Sequence, residues 1–384
     1  MEHLINSQVQ SIELSGIRQF FNLVANMEGM ISFSIGQPDF PTPEEVKAAG
    51  ISAIQNNDTT YTHNAGYLDL RNKAVDYFCD KYQLNYSPDE IIVTSGASQA
   101  IDASFRTILS PGTEVVLPGP VYPGYEPLIR LCEATPVYVD TSKHSFKLTA
   151  SLIEKSLTEK TRCVVLPYPS NPTGVSLSRQ ELIDIADLLK GRDIFILADE
   201  IYSTLSYDTA HVSIASFLKE QTIVINGLSK SHSMTGWRIG FVLAPEKITK
   251  HILKVHQYNV SCASSISQKA ALKALSSNQA DSHQMRNTYR LRRDYVYQRL
   301  IDMELETILP DGAFYFFVKI PAFLELNSLQ FSLQLAREAK VAVVPGSAFP
   351  QYGEGYFRLS FACSMESLEE GLNRLHDFLN KLKQ

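Results

Sequence analysis

Cysteine is scarce in this 384-residue chain, and what there is does not pair: Cys79, Cys132, Cys163, Cys262 and Cys363 are odd in number, far apart and never spaced as CxxC. They read as reduced thiols, which suits a cytoplasmic protein. Long apolar runs are missing too. No stretch approaches the roughly 18 consecutive apolar residues that a membrane span needs, and the opening MEHLINSQVQ lacks a basic segment followed by an apolar core, so neither a membrane nor an export signal is expected. Charge of one sign is never massed. The 35 basic and 41 acidic side chains are interspersed and leave a net charge of −6, which argues against a nucleic-acid partner.

Several catalytic signatures are absent as well. No GxGxxG follows a predicted strand, so the nicotinamide fingerprint is missing; GASQA at 96–100 is not the GxSxG elbow of a hydrolase, and SKS at 229–231 has no P-loop glycines before it. The nine histidines are scattered, and His251 and His256, five apart, do not share a helical face, so no metal site is expected. Small molecules remain as ligands.

What is present is 44% hydrophobic residue content in a pattern of short β-branched runs: EIIVTSG at 90–96, TEVVLPGP at 113–120, TRCVVLPYPSNP at 161–172, DIFILADE at 193–200 and QTIVINGLSK at 221–230. Each ends in Gly, Pro, Asp or Asn and leads into a helical pattern, such as SQAIDASFRTIL from Ser98 or SRQELIDIADLL from Ser178, whose Ser178 and Glu181 form a capping-box pair. Continuous apolar strands alternating with helices predict an α/β fold with a mostly parallel sheet covered on both faces. The large domain is placed at 45–290. Residues 1–44 and 291–384 form a smaller α+β domain, with a long helix at LRRDYVYQRLIDM and strands at GAFYFFVKI, VAVVPG and GYFRLSFAC.

In such a sheet, ligands sit beyond the carboxyl ends of the strands, and four of those ends carry unusual groups. Gly96-Ala97-Ser98 turns directly into a helix, leaving free N–H groups for a phosphate; Ser98 as a plain N-cap is the competing reading. Asp199 closes IFILA, and Tyr202 follows within a helical turn, a pair suited to a ring with a protonated nitrogen at one end and a phenolic oxygen at the other; a capped strand end with a packed tyrosine is the alternative. Ser229-Lys230 closes another strand, with Arg238 eight positions beyond the lysine. A lysine there can form a Schiff base once its pKa is lowered, and an arginine can grip phosphate. Asn171 in PYPSNPTG and Tyr122 in GPVYPGY offer an amide and a stacking face, or merely a turn and a rim.

SNPTG, DEIY and SKSHSMTGWRIG, in that order, resemble the class I aminotransferases of the fold-type I pyridoxal-phosphate enzymes, over nearly the whole chain. The resemblance implies that pyridoxal 5'-phosphate is the cofactor, Lys230 its Schiff-base lysine and proton shuttle, and Asp199 the partner of its ring nitrogen. It further implies that Asn171 and Tyr202 hold the ring oxygen, that Tyr122 stacks on the ring, and that Ala97, Ser98, Ser229 and Arg238 form the phosphate cup. Tyr61 in YTHNAG would reach in from the other subunit of a homodimer. Arg358 in GYFRLSFA would clamp the substrate α-carboxylate, and Gly36 in IGQPDF would line the substrate pocket.

SGIR, GASQAIDA, YPGYEP and INGLSKSHSMTGWRIG look like the bacterial branch of this family assigned to N-acetyl-LL-2,6-diaminopimelate in lysine biosynthesis, with 2-oxoglutarate as acceptor. Ile17 and Arg18 fall in a segment that lines the side-chain pocket in relatives; Arg18 could meet a distal carboxylate or lie on the surface. An aspartate or aromatic aminotransferase, and a C–S β-lyase built on the same residues, remain alternatives.

Overall fold

The computed structural model describes residues 1–25, 27–277 and 280–383. Its strands are β1 (Ile31–Ser32), β2 (Ile91–Thr94), β3 (Glu114–Gly119), β4 (Thr135–Asp140), β5 (Thr161–Leu166), β6 (Phe195–Asp199), β7 (Thr222–Gly227), β8 (Gly240–Leu243), β9 (Tyr315–Lys319), β10 (Val341–Ala342), β11 (Val344–Pro345) and β12 (Tyr356–Ser360). Seven of them build the central sheet in the order β2-β8-β7-β6-β5-β3-β4. The pairings from β4 to β7 are parallel, whereas β8 is antiparallel to both β7 and β2, so six strands point one way and β8 alone runs back. The five apolar runs all became strands of this sheet.

Burial on both faces explains why these strands read as unbroken apolar runs rather than alternating ones. Along β7, Ile223 and Ile225 enter one buried cluster and Val224 the other; along β5, Cys163 and Val165 face one side, Val164 and Leu166 the opposite. The helix Gly96–Ile108 covers one face with Ala100, Ile101, Ser104, Phe105 and Ile108, the spacing of a single helical stripe. The helix Arg179–Leu189 starts at the expected capping box, with the Ser178 side chain accepting from the Glu181 amide and the Glu181 carboxylate accepting from the Ser178 amide.

A second core gathers Phe33, Tyr289, Phe314, Phe316, Phe331, Phe357, Leu372 and Phe378 beneath a three-stranded antiparallel sheet, β11-β12-β9. The N-terminal segment enters this unit through β1, which pairs in parallel with β10. The helix Ala280–Asp302 runs unbroken through residue 290, where the sequence placed the domain join, and its Met285 and Tyr289 pack in the second core. No described helix is long and apolar enough to cross a membrane, and no cluster of metal-ligating side chains occurs among the described residues.

Where β8 meets β7 and β2, Gly240 stands opposite Gly227 and Thr94, directly under the start of the Gly96 helix. A Cβ at Gly240 would lie 2.5 Å from the Gly96 carbonyl carbon and 2.6 Å from the Ala97 nitrogen, backbone atoms that cannot swing aside. Gly240→Ala is therefore expected to push this helix start away from the sheet and destabilise the protein by about 1–3 kcal/mol. Thermal unfolding checks this, an unchanged midpoint being the contrary result.

Candidate active site

Because six strands share one direction, their carboxyl ends open along one edge of the sheet, and the loops that leave them converge there. β2 delivers Ala97 and Ser98, β3 Tyr122, β5 Asn171, β6 Asp199 and Tyr202, and β7 Ser229 and Lys230. The reversal of β8 gives it the opposite role: its amino end reaches this edge, so Arg238, just before the strand, joins the others. With Gly36 and Arg358 from the second unit, these residues line one cavity of about 850 Å³, whose wall also includes Ile17 and Arg18. Tyr61 does not line it. That side chain lies on the outer surface, 86% exposed.

The helix Gly96–Ile108 begins with Ser95 as its N-cap, so Ser98 lies within the first turn and is not the capping residue. Gly96 adopts φ +77° and lies against the Arg238 guanidinium; a Cβ there would fall 2.7 Å from Arg238 Cζ. Arg238 donates from Nη1 to the Thr235 carbonyl at 3.1 Å and forms no ion pair among the described residues. The helix start and this cation thus face the cavity together.

Lys230 Nζ donates to the Gly36 carbonyl at 2.5 Å and stands 5.7 Å from the ring centre of Tyr202 and 5.8 Å from that of Phe314. Burial, reinforced by the charges of Arg358 and Arg238, lowers its pKa to about 8. Asp199 accepts from the Tyr125 hydroxyl at 2.6 Å and from the Ile201 amide at 3.3 Å. Burial raises its pKa to about 6, against the pull of those two donors. The Tyr202 and Tyr315 hydroxyls lie 2.8 Å apart, and the Tyr122 ring meets Tyr125 edge to face at 5.6 Å.

Arg358 is 2% exposed, its guanidinium 4.3 Å from the Tyr315 ring centre. Nη1 donates to Asn171 Oδ1 at 2.9 Å and Nη2 to the Ser34 carbonyl at 2.8 Å, while Nε has no partner among the described residues. Asn171 gives its oxygen to this bond, which leaves its amide N–H groups for a ligand. A buried guanidinium facing a cavity with a spare N–H and no carboxylate beside it is suited to an incoming carboxylate.

A family model described as aminotransferase class I and II matches residues 28–375. The chain belongs to this family. The aminotransferase is 63% identical to the probable N-acetyl-LL-diaminopimelate aminotransferase of Bacillus subtilis, over 100% of this chain and 98% of that protein. It is 39% identical to aromatic-amino-acid aminotransferase 2 of Thermococcus litoralis, over 99% of each. The solved structure of aspartate aminotransferase from Thermus thermophilus with maleate superimposes with a TM-score of 0.93 at 31% identity, covering 97% of this chain and 99% of the other. The enzyme is accordingly a pyridoxal-phosphate-dependent aminotransferase of fold-type I.

The cavity of the aminotransferase fits that cofactor on three observations: the cation and helix start at Gly96 suit its phosphate, the buried Asp199 suits a protonated ring nitrogen, and the lysine with its lowered pKa suits its aldehyde. Sequence reasoning did not single out Tyr125 and Tyr315, which touch Asp199, Tyr202 and Arg358. The YPGY motif held one signal for Tyr125, a second tyrosine three residues after Tyr122; Tyr315, inside GAFYFF, looks like any core aromatic.

An amine is nucleophilic only when neutral, so a pKa lowered to about 8 means that Lys230 gains reactivity as pH rises to that value and little beyond it. The rate at which the apoprotein takes up pyridoxal phosphate, followed by absorbance, should rise through pH 8 and level off above it. A rate still climbing at the pH where an ordinary lysine titrates would contradict the shift.

Proposed function

We propose that the enzyme transfers the amino group of N-acetyl-LL-2,6-diaminopimelate to 2-oxoglutarate in lysine biosynthesis, as a cytoplasmic homodimer. The observation that carries this reading is the 63% identity, spanning the whole chain, to a relative bearing that name. Arg18 in the cavity wall agrees with it, because donor and acceptor both carry a carboxylate distant from the reacting carbon. The clusters on the two faces of the central sheet and the separate second core support a large and a small domain, with Met285 and Tyr289 packed in the core of the small one.

Bound pyridoxal phosphate supplies an electron-withdrawing ring that stabilises the charge left when the Cα–H bond breaks. The protein does the rest. Arg358 and the Asn171 amide grip the α-carboxylate and thereby fix the orientation of the Cα–H bond. Lys230 Nζ receives the Cα proton, a task for which an amine of pKa near 8 is well matched. Asp199 keeps a proton on the ring nitrogen, Asn171 and Tyr202 bind the ring oxygen, Tyr122 stacks on the ring, and Ala97, Ser98, Ser229 and Arg238 hold the phosphate. The exposed Tyr61 serves the partner's phosphate cup, and Gly36 forms part of the substrate pocket. Donor and acceptor use the same groups in turn, which gives ping-pong kinetics.

The test is the visible spectrum of the purified enzyme. N-acetyl-LL-2,6-diaminopimelate should bleach the absorbance of the bound cofactor, and 2-oxoglutarate should restore it. Bleaching by glutamate but not by the acetylated diamine would discard the substrate, and pyruvate with ammonia formed in the absence of an oxo acid would indicate a β-lyase. Arg18→Ala should raise KM about tenfold for both dicarboxylic substrates, about 1.4 kcal/mol, and leave KM for alanine nearly unchanged. Equal losses for all three would remove Arg18 from the specificity argument.

A further inference from the structure

Tyr125 opens the helix Tyr125–Leu131 and is 1% exposed, its ring packed in the buried cluster that includes Val121, Ile129 and Leu197. Among the described residues its hydroxyl has one hydrogen-bond partner, Asp199 Oδ2, at 2.6 Å. A carboxylate oxygen only accepts, so the phenol must be the donor, and burial keeps its own pKa well above the ordinary tyrosine value. Asp199 Oδ1 is engaged from the other side by the Ile201 amide. Two donors from different stretches of chain thus fix the rotation of one carboxylate and leave its remaining lone pairs for the cavity it lines.

We propose that Tyr125 is a positioning residue for transamination: its hydroxyl holds Asp199 as an ionised carboxylate aimed at the ring nitrogen of the cofactor. The proposal rests on the role given to Asp199 above. The physical need is plain, because burial and the neighbouring Glu200 charge both favour the neutral acid, and the Tyr125 hydrogen bond is the strongest influence opposing them. Without that hydrogen bond Asp199 becomes the stronger base. The proton shared between the carboxylate and the ring nitrogen then shifts toward the carboxylate, and the ring withdraws electrons less well. Tyr125 also packs edge to face with the Tyr122 ring, so the same side chain steadies two contacts to the cofactor.

The variant is Tyr125→Phe, which keeps the ring and removes only the hydroxyl. The holoenzyme is prepared with pyridoxal phosphate labelled with nitrogen-15 in the ring, and the resonance of that nitrogen reports its protonation directly. The expected result is a resonance displaced toward that of a neutral pyridine, with kcat about 10- to 100-fold lower, the range for losing a hydrogen bond to a charged group. KM for the amino donor should change much less, and Tyr125→Phe should add nothing in an Asp199→Asn background. If the resonance stays put in Tyr125→Phe but moves in Asp199→Asn, Tyr125 has no such role and the reading of Asp199 stands. If it moves in neither, the reading of Asp199 fails first. A kcat loss in Tyr125→Phe that is equally large in the Asp199→Asn background would make Tyr125 merely structural.

Discussion

A guanidinium in an apolar interior must find oxygen for its N–H groups, and at Arg358 that requirement ties three distant stretches of chain together. The arginine comes from β12; one N–H group goes to Asn171 in the loop after β5 and another to the Ser34 carbonyl of the N-terminal segment, while Tyr315 of β9 lies against its face. None of these partners is an anion, so the charge is solvated by dipoles and a ring and has no counterion among the described residues. The arrangement is stable enough to exist and incomplete enough to favour a carboxylate. Lys230 repeats the theme: its amine is tied across the cavity to the Gly36 carbonyl, and burial, reinforced by two nearby arginines, weakens its hold on a proton.

The central sheet determines where these groups meet. Six parallel strands turn sequence positions as far apart as 97 and 230 into neighbours, because each strand ends on the same edge. The lone antiparallel strand β8 adds Arg238 from its opposite end, which a fully parallel sheet would have carried to the far side. Gly240, squeezed between that strand and the Gly96 helix, shows how closely the backbone layers approach at this corner.

Much of this was legible in the sequence where burial is two-sided. The five apolar runs marked five central strands, and Asp199 and Lys230 stood out because charged residues at the ends of apolar runs need a reason. β4 escaped notice because it lies at the sheet edge, where its residues are only partly buried and TPVYVD lacks an unbroken apolar run. β8 escaped because its four residues, Gly240–Leu243, look like an apolar flank. The helix Ala280–Asp302 was recognised only in its second half, since its many charged residues dilute the apolar stripe. Tyr125 and Tyr315 could not be told from packing aromatics, for a hydroxyl shows its purpose only once its partner is located.

The cavity draws on residues from Ile17 to Arg358, but not evenly. Apart from Tyr61, every side chain proposed to hold the cofactor falls between Ala97 and Arg238, whereas the arginine proposed to hold the substrate lies 26 residues from the end of a 384-residue chain. Domains assemble from the amino terminus as the chain is synthesised. A nascent polypeptide therefore carries every residue proposed for its own phosphate cup, from Ala97 to Arg238, well before it carries Arg358, the residue proposed to clamp the substrate α-carboxylate.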